Sequence, residues 1–471
     1  MNEVILSGLG ILLALCGMTV LIFRRVSPII VGPLAALLVT VMSGLPVLDS
    51  VTGTYVQGVG SFFVSYFMIF LLGNILGSLY QISGAAAKIG ETVVRWFGAK
   101  NCMVACLISA ALLSYGGINS FVIIFAIYPI ALKLFEEADL PTYLLPGIVC
   151  GGMWTFAMTG PFSPQICNIV SMQSLGTPSY AGLIPGLAAS VVMAVLIVWY
   201  MNRQAKKAKG RGEHFTPPEG GVRQHEGPTP GAVVSFIPLT AVIVLFNVTE
   251  IGIVACLLIG IVLSLGLFWR SIPWGEMLST MNQAAGSSVT VIINTATIVG
   301  FGAVAKITPF YAWAVELLEA STANPYVVAA VGSNIFACIL GSSSGGLTLM
   351  YTSLKEIFLS YAGQGYSLEF IHRLCSLGSG GLDSMPWNGS IVSVFGICHT
   401  THKASYKYNF VTCAVIPVLC TFLIALPICI WLGMVSIVFI GFLLLLSAQP
   451  NANDTDHAQP RAGPADDDGG G

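Results

Sequence analysis

The chain has 471 residues, of which 55% are hydrophobic and 8% charged, with a formal net charge of −2. Soluble domains carry roughly 25% charged residues, so the composition excludes a soluble enzyme and offers no basic surface for nucleic acid. The 12 cysteines are scattered through apolar runs without CxxC pairs, which excludes a disulfide framework or a cysteine zinc site and leaves them as small buried hydrophobes.

About 20 apolar residues are needed to cross the hydrocarbon core. The first run, Val4–Phe23, is followed rather than preceded by basic residues, Arg24 and Arg25. A signal peptide has the reverse order, so a retained span is expected. Pro28–Leu48 and Tyr55–Tyr80 are the next spans. Cys102–Leu134 is then interrupted by Ser114-Tyr-Gly-Gly-Ile-Asn-Ser120, and the pattern predicts a re-entrant hairpin with this Gly-rich segment at its tip. Tyr143–Met172 is broken by Thr159-Gly-Pro-Phe-Ser-Pro-Gln165 and is expected to be one crossing with an unwound middle. Tyr180–Met201 completes a first repeat, 1–201. The polar stretch Asn202–Pro230, with Lys206-Lys-Ala-Lys-Gly-Arg211 and Pro217-Pro218, is expected to be a cytoplasmic linker.

The second repeat, 231–432, follows the same order. Gly231–Asn247, Ile251–Trp269 and Ala284–Ala305 are spans, and Pro325–Leu359 is a second hairpin with Gly341-Ser-Ser-Ser-Gly-Gly346 at its tip. Glu369–Ile397 is broken by Gly380-Gly-Leu-Asp-Ser-Met-Pro-Trp-Asn388, and Tyr408–Trp431 is the last full span. Residues 433–448 are a short extra span or a continuation of that helix, and 449–471 are expected to be disordered. The offset from Gly116 to Gly341 is 225 residues, and from Pro164 to Pro386 it is 222. Lipid cannot satisfy freed amides and carbonyls, so paired breaks survive only where they line a cavity. Their repetition in both halves marks a transporter with a midplane site.

Placing the N-terminus outside puts 15 of the 19 basic residues in cytoplasmic segments, among them Lys88, Arg95, Arg203, Lys206, Lys207 and Arg270. Lys306, Lys355 and Arg373 then fall outside, and no basic residue is expected near the midplane. The positive-inside rule is satisfied, and the two hairpins then enter from opposite sides. The predicted fold class is an all-α polytopic membrane protein. It has two inverted structural repeats, each with a re-entrant hairpin and a discontinuous transmembrane helix.

Asp383 is the residue most suggestive of chemistry. A charge at mid-bilayer costs about 2.5–3.5 kcal/mol on insertion scales, and such residues mark ion or proton pathways. Proton coupling through Asp383 and simple helix capping by it are both open readings. Ser342, Ser343, Ser344, Gly345 and Gly346 precede an apolar helix, so amides and hydroxyls can face an anion at a helix N-terminus. Gly116, Gly117, Asn119 and Ser120 offer the same at the other tip. Thr159, Ser163, Gln165, Asn168, Ser384 and Asn388 add uncharged donors and acceptors at the breaks. His399 and His402 lack an evident third metal ligand and sit where the last broken helix meets the cytoplasm. With no HExxH, GxSxG or P-loop, no enzyme chemistry, metal or cofactor is expected.

Several of these motifs together resemble the gluconate:proton symporter (GntP) family of the ion-transporter superfamily. They are Ser83-Gly-Ala-Ala-Ala-Lys-Ile-Gly90, Gly116-Gly-Ile-Asn-Ser-Phe-Val122, Phe156-Ala-Met-Thr-Gly-Pro161, Pro164-Gln-Ile-Cys-Asn168, Leu382-Asp-Ser-Met-Pro-Trp-Asn-Gly389 and Thr401-His-Lys-Ala-Ser-Tyr406. The resemblance spans roughly Ile5 to Trp431. It implies proton-coupled uptake of a small carboxylate, gluconate or a short hydroxy acid such as 3-hydroxybutyrate, across a bacterial inner membrane. It also implies contact with membrane lipids and a homodimer with a fixed scaffold and a moving transport domain. Trp387 departs from the family pattern, which carries His there. Two other readings stay open: a sodium-coupled di- or tricarboxylate carrier on the same architecture, and a passive anion channel.

Overall fold

In the computed structural model, residues 2–434 are described except 25, 99–100, 119, 219–226, 250, 320–323 and 387. The expected tail and all but the first residues of the extra span lie outside them, as do Asn119 and Trp387. Among the described residues the fold is helical throughout, with no strand. Helix starts follow local chemistry. Ser27 accepts from the Ile29 amide ahead of Pro28, and Asn324 accepts from the Tyr326 amide at 2.9 Å ahead of Pro325. A polar cap followed by proline satisfies or removes the orphan amides of the first turn.

Among the described residues, four helices are long and apolar enough to cross a membrane: Asp49–Ile82, Leu183–Gly210, Trp274–Lys306 and His402–Met434. The chain is an integral membrane protein. Val56–Ile82 and Trp274–Lys306 pack along their length. Their approach is close because a Cβ added at Gly58 would come 2.7 Å from that of Ala303, and one at Gly300 2.8 Å from the Tyr55 carbonyl oxygen. Small residues let membrane helices approach and gain dispersion contacts where lipid removes the hydrophobic drive. Asn74 donates across this seam to Ser288 at 2.8 Å.

The two halves present helices in a similar order. Pro28–Met42 corresponds to Ile253–Leu267, Ala85–Phe97 to Pro309–Glu319, and Cys102–Tyr115 to Pro325–Leu340. Their contacts are exchanged. Pro28–Met42 packs on Trp274–Lys306, while Ile253–Leu267 packs on Val56–Ile82. Asn2–Phe23 packs on Pro309–Glu319, while Ala232–Val248 packs on Ala85–Phe97. Ser343–Gly363 packs on Ile166–Leu175, while Ser120–Glu137 packs on Gly389–Ile397.

Both expected hairpin segments are helix–turn–helix units. Cys102–Tyr115 turns through Gly116 and Gly117 (φ 78°) into Ser120–Glu137, and Pro325–Leu340 turns through Gly341 (φ 56°) into Ser343–Gly363. In each unit the two arms pack on one another. Gly346 serves that packing, since an added Cβ would lie 2.6 Å from the Ala337 backbone.

Two expectations need correction. The linker does not begin at Asn202, because the helix Leu183–Gly210 carries straight through the lysine run, burying Ala205 and Ala208 on one face. Alanine and lysine are strong helix formers, and Lys207 and Lys209 suit a helix C-terminus. Beyond it, Arg211 binds Glu213, Glu213 accepts from the Tyr143 hydroxyl, and His214 pairs with Asp139. Arg211, then Tyr143, holds the Glu213 carboxyl down at about 2, so this latch is lost only as pH falls through that value. The sequence reading also missed two short helices, Ala85–Phe97 and Pro309–Glu319. Both are too short for a span-length search to find.

Candidate functional site

The first break follows the one-turn helix Phe156–Thr159. Pro161 and Pro164 cannot donate backbone hydrogen bonds, and Phe162 sits at φ 65°, a conformation costly for a bulky residue. Several of its carbonyls find side-chain partners. Tyr115 donates to the Phe156 and Pro161 carbonyls, Asn247 Nδ2 to that of Phe162 at 3.2 Å, and Asn168 Nδ2 to that of Ser163 at 2.9 Å. The Thr159 carbonyl accepts from Arg373 Nη1 at 2.6 Å.

The second break lies between Leu368–Ser379 and Gly389–Ile397. The cap of the following helix is Asn388, whose Oδ1 accepts from the Ser390 and Ile391 amides while its Nδ2 donates to the Asp383 carbonyl at 3.0 Å. Asp383 is thereby freed from capping that helix. Its side chain is buried and Oδ1 accepts from the Ser384 hydroxyl at 3.0 Å. Tyr406 donates to the Ser384 carbonyl, and His402 Nε2 to that of Pro386 at 3.2 Å.

The two breaks touch. A Cβ at Gly380 would meet Thr159 Cγ2 at 2.5 Å. Ser171 Oγ is 3.1 Å from Ser376 Oγ and accepts from the Tyr351 hydroxyl, tying both broken helices to the second hairpin. At the tip of that hairpin, Ser343 Oγ is 2.9 Å from Cys167 Sγ. Cys167 in turn lies within electrostatic reach of Asp383. Ser343 and the start of the Ile166–Leu175 helix therefore adjoin, and the Asp383 charge acts on the same cysteine.

Arg373 overturns the expectation that it faces the outside and that the interior holds no basic residue. It is 0% exposed, the largest fully buried side chain among the described residues. Its guanidinium donates to the carbonyls of Ala181 at 2.8 Å, Thr159 at 2.6 Å and Ser179 at 3.2 Å. Gly182 and Gly186 form its slot, since added Cβ atoms would come 2.5 Å from Arg373 Cβ and 2.9 Å from its Cδ. Neighbouring His372 is also fully buried, bridging Thr177 at 2.7 Å and Asn168 Oδ1 at 2.8 Å. Glu369, one helical turn earlier, is exposed. The available signal was a His-Arg pair in the helix that leads into an unwound segment.

The remaining predicted residues divide by what their polar atoms do. Asn168, Asn388 and Ser163 spend their side chains on the breaks themselves. Gln165 Nε2 ties the first tip to the first break, donating to the Ser114 carbonyl at 2.6 Å and that of Ile118 at 3.4 Å. Ser120 accepts from Trp154 Nε1 at 2.9 Å. Gly116 packs against Leu239 and Gly117 near Pro164. Thr159 is buried with its hydroxyl on the Thr155 carbonyl. Ser342 caps the second hairpin's outgoing helix through the Gly345 amide, leaving Ser343 buried and Ser344 half-buried at its first turn. A helix N-terminus that carries hydroxyls is suited to an anion.

Comparisons with known proteins find relatives among permeases and transporters. The model of the GntP permease family matches residues 5–254. An uncharacterized transporter of Bacillus subtilis, YxjC, is 29% identical over 453 residues, covering 85% of this chain and 94% of its own. The D-serine transporter DsdX of Escherichia coli is 24% identical over 204 residues, covering 42% of this chain and 44% of its own. Among solved structures, the YdaH transporter of Alcanivorax borkumensis aligns with a TM-score of 0.57 at 12% identity, covering 92% of this chain and 99% of that one. That likeness concerns the fold alone.

Proposed function

Because this chain belongs to the GntP family of permeases, we propose that it takes up a small monocarboxylate together with protons. The observation that carries this reading is the pair of touching breaks, with one acid and one guanidinium buried at them. Among the described residues, Asp383 and Arg373 are the only Asp, Glu, Lys or Arg side chains in the buried interior. Ionisable groups inside a membrane protein are expensive and serve ion, proton or substrate pathways. Asp383 is the proton carrier. The first turn of Ser343–Gly363 and the Ser343 hydroxyl receive the substrate carboxylate. Gluconate and 3-hydroxybutyrate are the candidate substrates, with a homodimer in the bacterial inner membrane as the working form. A small hydroxylated solute also suits the relationship to a transporter named for D-serine.

The exchanged helix contacts support inverted repeats, with the first hairpin entering from the cytoplasm and the second from outside. Single cysteines at Gly210 and Gln364, in a cysteine-free background, are expected to label from opposite faces of the membrane. Labelling of both from one face overturns the inversion.

Uptake into proteoliposomes under an imposed pH gradient tests the coupling. Replacing Na⁺ by choline should leave uptake unchanged. Loss of uptake in choline would favour the sodium-coupled carrier, and equilibration without accumulation would favour a channel. Ser343→Ala should lower substrate affinity about ten- to hundredfold, the loss of one hydrogen bond to a charged ligand at roughly 1.5–3 kcal/mol. The thermal-shift titration that measures this should find the unliganded melting point unchanged.

A further inference from the structure

We propose that Arg373 is a fixed charge that sets the coupling ratio at one proton per monovalent anion, a deepening that rests on the proton-coupled reading above. Among the described residues, the buried interior holds one guanidinium, fastened to three carbonyls with no carboxylate among its hydrogen-bond partners, and one carboxylate, which accepts from a serine hydroxyl. The other ionisable groups near them carry no charge at neutral pH in their ordinary states. Tyr115, Tyr351 and Cys429 lie within electrostatic reach of Arg373, and Cys167 and Cys413 within reach of Asp383. His372 Nε2 faces Asn168 Oδ1 and its Nδ1 faces the Thr177 hydroxyl, partners that a neutral imidazole satisfies in full.

Four occupancies follow. Empty with Asp383 ionised, the buried interior has no net charge, since the Asp383 carboxylate and the Arg373 guanidinium cancel in sum. Loaded with a monoanion and with Asp383 protonated, it is neutral again. A proton alone leaves it at plus one, and an anion alone at minus one. A net charge in a site closed off from water carries an uncompensated desolvation cost. The two neutral occupancies are therefore the ones able to change sides, and they differ by one proton and one anion. Arg373 thus suppresses both proton leak and uncoupled anion leak without touching the substrate. A dianion such as succinate leaves the site at minus one with a single acid available. It should compete with gluconate more weakly, by on the order of a hundredfold.

The test uses the full chain in proteoliposomes, with gluconate and, in parallel, 3-hydroxybutyrate as probes. An external pH step drives uptake while potassium and valinomycin hold the membrane potential at zero, inside-negative or inside-positive. An internal pH dye counts protons. The expected result is one proton per anion and an accumulation ratio that is the same at all three potentials. Accumulation that follows the potential, or a ratio other than one, overturns the inference while leaving proton coupling in place. No pH-driven accumulation with either probe overturns the underlying reading and this inference together. Arg373→Lys keeps the charge and should keep the one-to-one ratio at a reduced rate. A potential-dependent ratio in Arg373→Lys protein of unchanged melting point would also count against it.

Discussion

Asp383→Asn is expected to abolish accumulation driven by a pH gradient while leaving counterflow exchange partly intact. One proton coupled to one anion concentrates the anion about tenfold per unit of pH gradient, since each unit is worth about 1.36 kcal/mol. In the variant that ratio should fall to about one. Asn keeps the size of the side chain and cannot give up a proton, so the loaded site stays neutral and the empty one is left with the unbalanced Arg373. Exchange needs only the loaded state to cross, whereas net uptake needs the empty site to return. The measurement is a paired assay on one preparation: pH-driven uptake, then exchange of labelled for unlabelled substrate at equal pH. Wild-type accumulation in the Asp383→Asn vesicles would sink the assignment.

Arg373→Met is expected to cost the protein much of its stability. Methionine follows the same slot between Gly182 and Gly186 but donates nothing to the carbonyls of Thr159, Ser179 and Ala181. The Ser179 carbonyl keeps two other donors, the Phe162 amide and Asn168 Nδ2. Those of Thr159 and Ala181 lose a charged partner, at about 1.5–3 kcal/mol for each bond. Against a total stability of roughly 5–15 kcal/mol, that loss should show as a sharp fall in folded yield and in the melting temperature in detergent. A variant that melts like the wild type would mean that the first break is held by something other than Arg373.

Both variants act where the two halves meet, and there the linear chain was least informative. The helix breaks were legible because their cause is local. Prolines remove donors and paired glycines permit left-handed turns, and in an apolar chain such residues stand out against long hydrophobic runs. Most of the spans were legible for the same reason, with Pro28–Met42 and Ile253–Leu267 ending within a turn or two of the run boundaries. Asp383 was visible as a lone acid between apolar segments. The extension of Leu183–Gly210 through the lysines was misread because polarity was taken as loop, although the same residues are good helix formers with a buried alanine face.

The sequence by itself determined the class of protein, the two breaks in each half and their repetition, and the single acid in the second break. The tertiary structure decided which polar side chains remain available beside that acid. Asn168, Gln165 and Asn388 look alike in sequence as substrate ligands, yet their amides close hydrogen bonds that the unwound backbone would otherwise lack. The structure also decided the place of Arg373. Its three acceptors lie about 190–215 residues away in the chain, and no local pattern encodes a partner at that separation. A long flexible side chain goes where buried carbonyls need a donor, and that need exists only once the two broken helices have come together.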